Sequence, residues 1–181
     1  VGENYSYGFH GKGNTKKLIK SGQDDGFDVI VRKLVEIKGS VVSSSKIREL
    51  IKNGEIALAN EMLGRAYTIS GTVVSGANRG GVLGFPTANI EFSDADLIVP
   101  AKGVYAARVV ISDIEHLGMA NIGYNPTFGD IDKKRLEINI FDFTDDIYGK
   151  EIIVRLMHYI RGERKFSSPA ELSEQIQMDK D

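Results

Sequence analysis

The sequence predicts a mainly β protein, an antiparallel barrel or sandwich that follows a shorter α/β segment. From Tyr67 onward, apolar residues recur at every second position, and this alternation lasts for about ninety residues, as in strands with one buried face. The apolar runs are short, and Gly, Asn, Asp and Pro separate them. Many short strands without long helices between them are typical of antiparallel architectures.

Composition and charge exclude several classes of function. The 181 residues carry a net charge of −2 and no cysteine. This balance lacks the clustered positive charge that attracts nucleic acids and anionic membranes, and without cysteine there are no disulfides or zinc–thiolate sites. No apolar run approaches the roughly 20 residues needed to span a bilayer. We therefore expect a cytoplasmic protein that acts on small molecules.

Residues 1–62 form the first predicted domain, and residues 63–181 the second. The first contains a predicted helix around Lys16 to Ile19, a strand over 27–37 and two short helices, one after the Ser43-Ser44-Ser45 run and one that ends at Gly64. The chain starts without a methionine, in what looks like the end of a strand. We therefore expect the first domain to be part of a larger one.

The second predicted domain contains five strands and a C-terminal helix. The strands are predicted at 67–74, 104–111, 119–122, 136–143 and 152–159. The tail at 167–178 begins Ser-Ser-Pro and carries Leu172 and Ile176 on one stripe, which predicts a helix packed on the strands.

A glycine-rich segment at residues 76–89 reads GANRGGVLGFPTAN. Glycines let the backbone approach a ligand and aim successive N–H groups into one concavity, which suits a phosphate. Neither the GxxxxGK[ST] pattern nor a GxGxxG turn between strand and helix is present. A nucleotide site here would be of another type, and a hairpin tip without a ligand is the alternative.

Two oxygen-bearing side chains follow that segment. Thr87 and Asn89 are two positions apart, so in an extended segment they face the same side. A hydroxyl and an amide carbonyl can contribute to Mg²⁺ coordination when phosphate and water complete the octahedron. Alternatively, both side chains bond to nearby backbone in a turn.

Glu137 and the segment 159–166 are further candidates. Alternation places Leu136 and Ile138 on one face and Glu137 on the other. Glu137 is therefore either solvated or lines a site, where it could accept a proton from a hydroxyl nucleophile. Arg161 could stack on or hydrogen-bond a planar ligand ring, with Phe166 packed beside it; a charged loop with Phe166 anchored in the core is the alternative.

Together these residues resemble riboflavin kinases. The matching residues, in family order over 63–181, are Leu63-Gly64-Arg65, Gly71, Leu-Gly-Phe-Pro-Thr-Ala-Asn at 83–89, Gly103-Val104-Tyr105, Asn121-Ile122-Gly123, Asn125-Pro126-Thr127, Glu137, Tyr148-Gly149, Arg161, Glu163 and Phe166. The resemblance implies a six-stranded antiparallel β-barrel with a C-terminal helix. It also implies an enzyme that transfers the γ-phosphate of ATP to riboflavin to give FMN.

The resemblance further implies roles for individual residues. Glu137 would be the general base, and Thr87 and Asn89 would hold Mg²⁺ and ATP. The other ATP-binding residues would be Gly76, Arg79, Gly80 and Gly81, and the flavin-binding residues would be Gly103, Tyr105, Arg161, Glu163 and Phe166.

The first sixty residues are similar to the end of the adenylyltransferase module of bacterial bifunctional FAD synthetases. Residues 1–8 look like its VGxDFxFG segment, although Asn4 replaces the acid and Ser6 the basic residue, and residues 43–48 look like its SSxxIR motif. The HxGH-type motif of that superfamily is absent from the chain. We therefore expect FMN and not FAD from this chain. The alternatives are a fragment of a parent that also adenylylates FMN, and a non-catalytic flavin-binding regulator.

Overall fold

The computed structural model describes residues 1–75, 87–94, 96–124, 134–164 and 166–180. The chain divides into two compact units, Val1–Lys46 and the residues from Ile47 onward. This division lies earlier in the chain than the one predicted at 62/63. The reason is that the helix Ile56–Leu63 packs against barrel strands and so belongs to the same unit as they do.

The first unit contains two small hairpins and a helix. Strands β1 (Ser6–Tyr7) and β2 (Gly13–Asn14) pair antiparallel around a 3₁₀ turn at Phe9–Gly11, and β3 (Glu36–Ile37) pairs with β4 (Ser40–Val41). Helix α1 (Thr15–Asp25) confirms the predicted helix. The Asn14 side chain accepts the Lys17 N–H at 3.0 Å and caps the helix start, where backbone donors lack partners.

The strand predicted over 27–37 is wrong for most of its length. Only Glu36–Ile37 is a strand, and Arg32 forms an isolated parallel bridge with Gly2. Arg32 N–H donates to the Val1 carbonyl at 2.8 Å, and its own carbonyl accepts from Glu3 N–H at 3.0 Å. Alternation alone does not make a strand, because a ladder also needs a paired partner along its length.

The two short helices predicted before the barrel are confirmed. Helix α2 spans Ser44–Asn53 and α3 spans Ile56–Leu63. Ser43 Oγ accepts the Lys46 N–H at 3.2 Å, as expected of an N-cap hydroxyl. Gly64 ends α3 in the left-handed conformation with φ 69°.

Six strands of the second unit form a closed antiparallel barrel, which confirms the expected architecture. The strands are β5 (Tyr67–Val74), β6 (Thr87–Phe92), β7 (Gly103–Ile111), β8 (Ile114–Tyr124), β9 (Lys134–Ile140) and β10 (Glu151–Arg161). Their order around the barrel is β10-β5-β6-β9-β8-β7. Strand β6 was not among the five strands predicted from alternation, and β9 ends before the predicted residue 143.

Alternation along each strand separates the core from the outer wall. On β9, Leu136, Ile138 and Ile140 are buried inside the barrel, so Glu137 and Asn139 point to the outer face. Pairing carries the same division to β8, where Ile122 is opposite Leu136 and Asn121 is opposite Glu137. Polar residues on the outer face are therefore aligned from strand to strand.

The C-terminal helix α4 spans Pro169–Lys180, close to the predicted 167–178. Ser168 Oγ accepts the Glu171 N–H at 3.2 Å, and the Glu171 carboxylate accepts the Ser167 N–H and hydroxyl at 2.9 and 2.7 Å. The hydrogen bonds from the Ser167 backbone and side chain, and then the charge of Arg164, lower the pKa of Glu171. The helix start is thus capped by its own sequence.

Candidate active site

Strand register brings the predicted metal-binding and catalytic residues together. Thr87 lies opposite Asn139, Asn89 opposite Glu137, and Glu137 opposite Asn121. Directly opposed residues in antiparallel strands have Cα atoms about 4.5–5.5 Å apart and side chains on one face. Thr87, Asn89 and Glu137 therefore form one patch on the outer wall of the barrel.

A cavity of about 290 Å³ lies over Thr87 and Glu137 of this patch, and we call it the outer cavity; Asn89 does not line it. Its lining residues are Thr87, Val104, Met119, Asn121, Glu137, Asn139, Arg161, Glu163, Arg164, Phe166, Leu172, Ile176 and Asp179. The strands supply its floor, and α4 with the segment before it supplies the other side. The structure thus brings five predicted site residues to one cavity: Thr87, Glu137, Arg161, Glu163 and Phe166.

A second cavity, of about 240 Å³, opens at one end of the barrel, and we call it the barrel-end cavity. Its lining residues are Val73, Thr87, Ala88, Ile138, Ile140, Phe143, Thr144, Asp145, Asp146, Ile147 and Tyr148. Thr87 lines both cavities. A group passing from a ligand in one cavity to a ligand in the other would therefore pass Thr87.

Arg161 is fixed at the edge of the outer cavity by an acid that the sequence analysis did not identify. Its guanidinium forms an ion pair with Asp179 of α4, with Nη2 and Oδ2 2.7 Å apart. The same guanidinium lies 5.7 Å from the centre of the Phe166 ring, within the range of a cation–π contact. Asp179 is one of several acids on α4, and no sequence signal separates it from Glu171 or Glu174.

The Glu163 side chain lines the outer cavity, and its carboxylate lies directly against Gly123. A Cβ built on Gly123 would collide with the Glu163 carboxylate. Gly123 is on the outer face of β8, two positions from Asn121. The absence of a side chain there is what admits the Glu163 carboxylate.

Gly103 and Tyr105 do not line the outer cavity. Tyr105 is fully buried in the barrel, and its hydroxyl donates to the Ala101 carbonyl at 2.5 Å. Burial, with a smaller effect of Tyr159, raises the pKa of Tyr105 to about 12. Odd-numbered residues of β7 point into the barrel, so Val104, which lies between Gly103 and Tyr105, is the β7 residue whose side chain faces the outer cavity. Tyr105 therefore belongs to the core.

The glycine-rich residues Gly76, Arg79, Gly80 and Gly81 lie outside the described residues. Among the residues that are described, no three His, Cys, Asp or Glu side chains cluster to hold a metal ion. Thr87 and Asn89 fit Mg²⁺ as two neutral oxygen donors, provided that phosphate and water supply the other ligands. Such a donor set suits a cation that arrives with a nucleotide.

Asn121 and Asn139 are two cavity residues whose side chains the sequence analysis did not assign. Both are on the cavity floor beside Glu137 and Thr87. Asn139 is buried, and Asn121 Oδ1 is buried without a hydrogen-bond partner among the described residues. Alternation along β9 places Asn139 on the same face as Glu137. Asn121 is on another strand, and it lies beside Glu137 because β8 pairs with β9.

Comparison with known proteins identifies the family to which the chain belongs. The family model described as "Flavokinase: Riboflavin kinase" matches residues 63–181. Proteins named "Bifunctional riboflavin kinase/FMN adenylyltransferase" from Bacillus subtilis and Escherichia coli K12 are 40% and 37% identical to the chain over 99% of its length. The chain spans 57% of the first and 56% of the second.

A similar crystal structure is that of a protein described as a macrolide-efflux protein from Streptococcus pneumoniae. It matches with a TM-score of 0.88 and 37% identity, and the match covers 99% of this chain and 57% of that one. In the described part of the present chain, no helix has the length and apolar character needed to cross a membrane.

Proposed function

The chain belongs to the riboflavin kinase family, and on that premise we propose that it transfers the γ-phosphate of ATP to the ribityl 5′-hydroxyl of riboflavin, giving FMN. One observation carries the proposal. Thr87 lines two cavities, and Glu137 lies in the neighbouring strand on the floor of the outer one. A phosphate donor in one cavity and a hydroxyl acceptor in the other would meet beside a carboxylate.

The outer cavity suits riboflavin. Val104, Met119, Leu172 and Ile176 give it apolar walls for an isoalloxazine ring. The Arg161 guanidinium and the Phe166 ring are two planar groups that can contact such a ring. The polar floor at Thr87, Asn121, Glu137 and Asn139 would then face the ribityl chain.

The barrel-end cavity is the proposed nucleotide site, and we propose Gly76, Arg79, Gly80 and Gly81 as further ATP-binding residues. Aliphatic side chains such as Val73 and Ile140 line it and would pack against the adenine ring. Thr87 and Asn89 would hold Mg²⁺, which supplies positive charge that neutralises the phosphate oxygens.

The proposed reaction requires one proton acceptor. The 5′-oxygen forms a bond to the γ-phosphorus while the bond from that phosphorus to the β–γ bridging oxygen breaks, which releases ADP. Glu137 accepts the hydroxyl proton, and positioning supplies most of the remaining rate enhancement. We propose ATP and riboflavin as its small-molecule substrates, with no nucleic acid or membrane as a partner, and the cytoplasm as the compartment.

The test is product formation from purified protein. Riboflavin, ATP and MgCl₂ are incubated with the chain, and the flavins are separated by chromatography. We expect FMN in equal amount to ADP, and none when ATP is omitted or EDTA is in excess. Protein that is folded by circular dichroism and binds riboflavin, yet forms no FMN, would be a flavin-binding regulator and would overturn the proposal.

A parent protein with a second activity is the other candidate, because the relatives are named as bifunctional and are longer than this chain. We propose that FAD formation belongs to that longer protein. The same chromatogram tests this: we expect FMN without FAD from this chain, and an FAD peak would contradict the assignment.

A further inference from the structure

We propose that Asn121 binds the ribityl chain of the flavin, through a hydrogen bond between its side-chain amide and a ribityl hydroxyl adjacent to the one that reacts. This inference rests on the proposed function, since it takes the outer cavity as the flavin site. It adds a substrate-binding residue, and with it a basis for distinguishing flavins with and without a polyol chain.

The position of Asn121 is the first argument. It lies on the outer face of β8, opposite Val104 of β7 on one side and Glu137 of β9 on the other. All three residues line the outer cavity. Asn121 is therefore at the middle of the cavity floor, between an apolar side chain and the proposed base.

The second argument is an unfilled hydrogen-bonding capacity. Asn121 Oδ1 is buried, and none of the described residues donates a hydrogen bond to it. Leaving a buried acceptor unpaired costs about 1–3 kcal/mol, so folded proteins rarely keep one without a reason. A donor supplied by a ligand would account for this atom.

The third argument concerns which part of a flavin can reach it. The Cα atoms of Asn121 and Glu137 are directly opposed, at about 4.5–5.5 Å. If Glu137 contacts the terminal hydroxyl, a neighbouring hydroxyl of the same polyol lies within reach of Asn121. A ribityl hydroxyl can donate to Oδ1 and accept from Nδ2, so either orientation of the amide is satisfied.

The neighbours of Asn121 on its own strand do not compete with a ligand for its side-chain amide. Its neighbours along the outer row of β8 are Met119, which cannot donate a hydrogen bond, and Gly123, which has no side chain. Replacing the amide by an apolar group of similar size should thus remove the ligand contact and leave the packing intact.

The experiment compares riboflavin with lumiflavin, which carries a methyl group in place of the ribityl chain. Binding is measured by quenching of flavin fluorescence, without ATP, for the wild type, Asn121→Leu and the control Leu117→Met, which is on the same row but is exposed and does not line the outer cavity. We expect Asn121→Leu to weaken riboflavin binding about tenfold, corresponding to about 1.4 kcal/mol, and to change lumiflavin binding less than about twofold. Leu117→Met should alter neither by more than about twofold.

Urea unfolding of the ligand-free proteins separates binding from a structural role. Removing an unpaired buried acceptor should leave the unfolding midpoint of Asn121→Leu unchanged or raised. A lowered midpoint with equal loss of both flavins would show a structural role and overturn the inference. Unchanged riboflavin affinity would also overturn it.

A second variant, Asn121→Ala, is measured in the same way in case leucine does not fit. The two proposals fail separately. If the wild type makes no FMN, the kinase assignment fails, whereas the comparison of riboflavin with lumiflavin still decides the role of Asn121.

Discussion

Arg161 and Asp179 form a three-contact ion pair that joins the last barrel strand to the C-terminal helix. Arg161 Nε donates to the two Asp179 carboxylate oxygens at 3.0 and 2.9 Å, and Nη2 lies 2.7 Å from Oδ2. Gln175 Nε2 donates to the same carboxylate at 2.9 Å. The Asp179 side chain is 3% exposed and that of Arg161 21%. The pair therefore holds α4 and the Arg161 guanidinium in place beside the outer cavity.

Asp179→Asn should weaken both helix docking and flavin binding. The amide keeps the size of the carboxylate but loses its charge, and hydrogen bonds to charged groups contribute about 1.5–3 kcal/mol. We expect the free energy of unfolding to fall by about 2 kcal/mol and the riboflavin dissociation constant to rise roughly tenfold. Urea unfolding and fluorescence titration measure the two effects.

The matched control is Glu174→Gln, which removes the same charge from an exposed position on α4. It should leave both quantities within experimental error. If Asp179→Asn behaves like this control, the ion pair has no role in flavin binding.

Glu137→Gln tests the proposed general base. Glutamine fills the same space without accepting a proton, so kcat for FMN formation should fall on the order of 10²-fold or more, while the KM for riboflavin changes little. Steady-state kinetics separates these two parameters. Glu91→Gln, an exposed carboxylate on β6, is the control. Near-wild-type turnover of Glu137→Gln would remove this residue from the mechanism.

The fold was predictable from the sequence for those strands whose side chains alternate between apolar and polar. Leu136, Ile138 and Ile140 alternate with polar residues and are buried as the period requires. Strand β6 was not predicted from alternation, because its residues Thr87-Ala88-Asn89-Ile90-Glu91-Phe92 include three of low strand propensity. Pairing with both β5 and β9 stabilises this segment as a strand, although its own residues do not favour one.

The site was predictable only in part, because some of its residues are brought there by contacts between segments that are distant in the sequence. Thr87 and Glu137 carry chemistry that can be recognised in their own segments. Asn121 and Asp179 acquire a place in the cavity through β8 pairing and through helix docking, and neither relationship is encoded locally. Tyr105 shows the converse, because it lies in a motif that matches the family while alternation along β7 places its side chain in the core.

Gly103 is required by the backbone of the barrel, and Gly103→Ala tests this. Its φ is 145°, and an added Cβ would lie 2.5 Å from both the Arg161 carbonyl oxygen and Tyr159 Cε2. We expect a loss of about 3 kcal/mol or more in unfolding free energy. Gly64→Ala is the control, because Gly64 has φ 69° with no atom within 4 Å of the added Cβ. That variant should lose only about 1–2 kcal/mol; equal losses would contradict the close-approach argument.

Tyr105 should make the stability of the protein fall at alkaline pH. Its pKa of about 12 in the folded protein exceeds its ordinary value of 10.0. Between these values the unfolded chain loses the proton while the folded one keeps it, so stability is complete below about pH 10 and decreases toward pH 12. A pKa shift of this size corresponds to a loss of about 2–3 kcal/mol in unfolding free energy once the pH exceeds both pKa values.

Tyr105→Phe isolates that contribution. At pH 8 the variant should be less stable than the wild type by about 1 kcal/mol, because the hydrogen bond to the Ala101 carbonyl is lost. As the pH rises above 10, only the wild type carries the cost of keeping this phenol protonated, so the difference should shrink and then reverse. The raised pKa of Tyr67 is present in both proteins and cancels. Urea unfolding at pH 8 and 11 measures this difference, and a difference independent of pH would contradict the raised pKa.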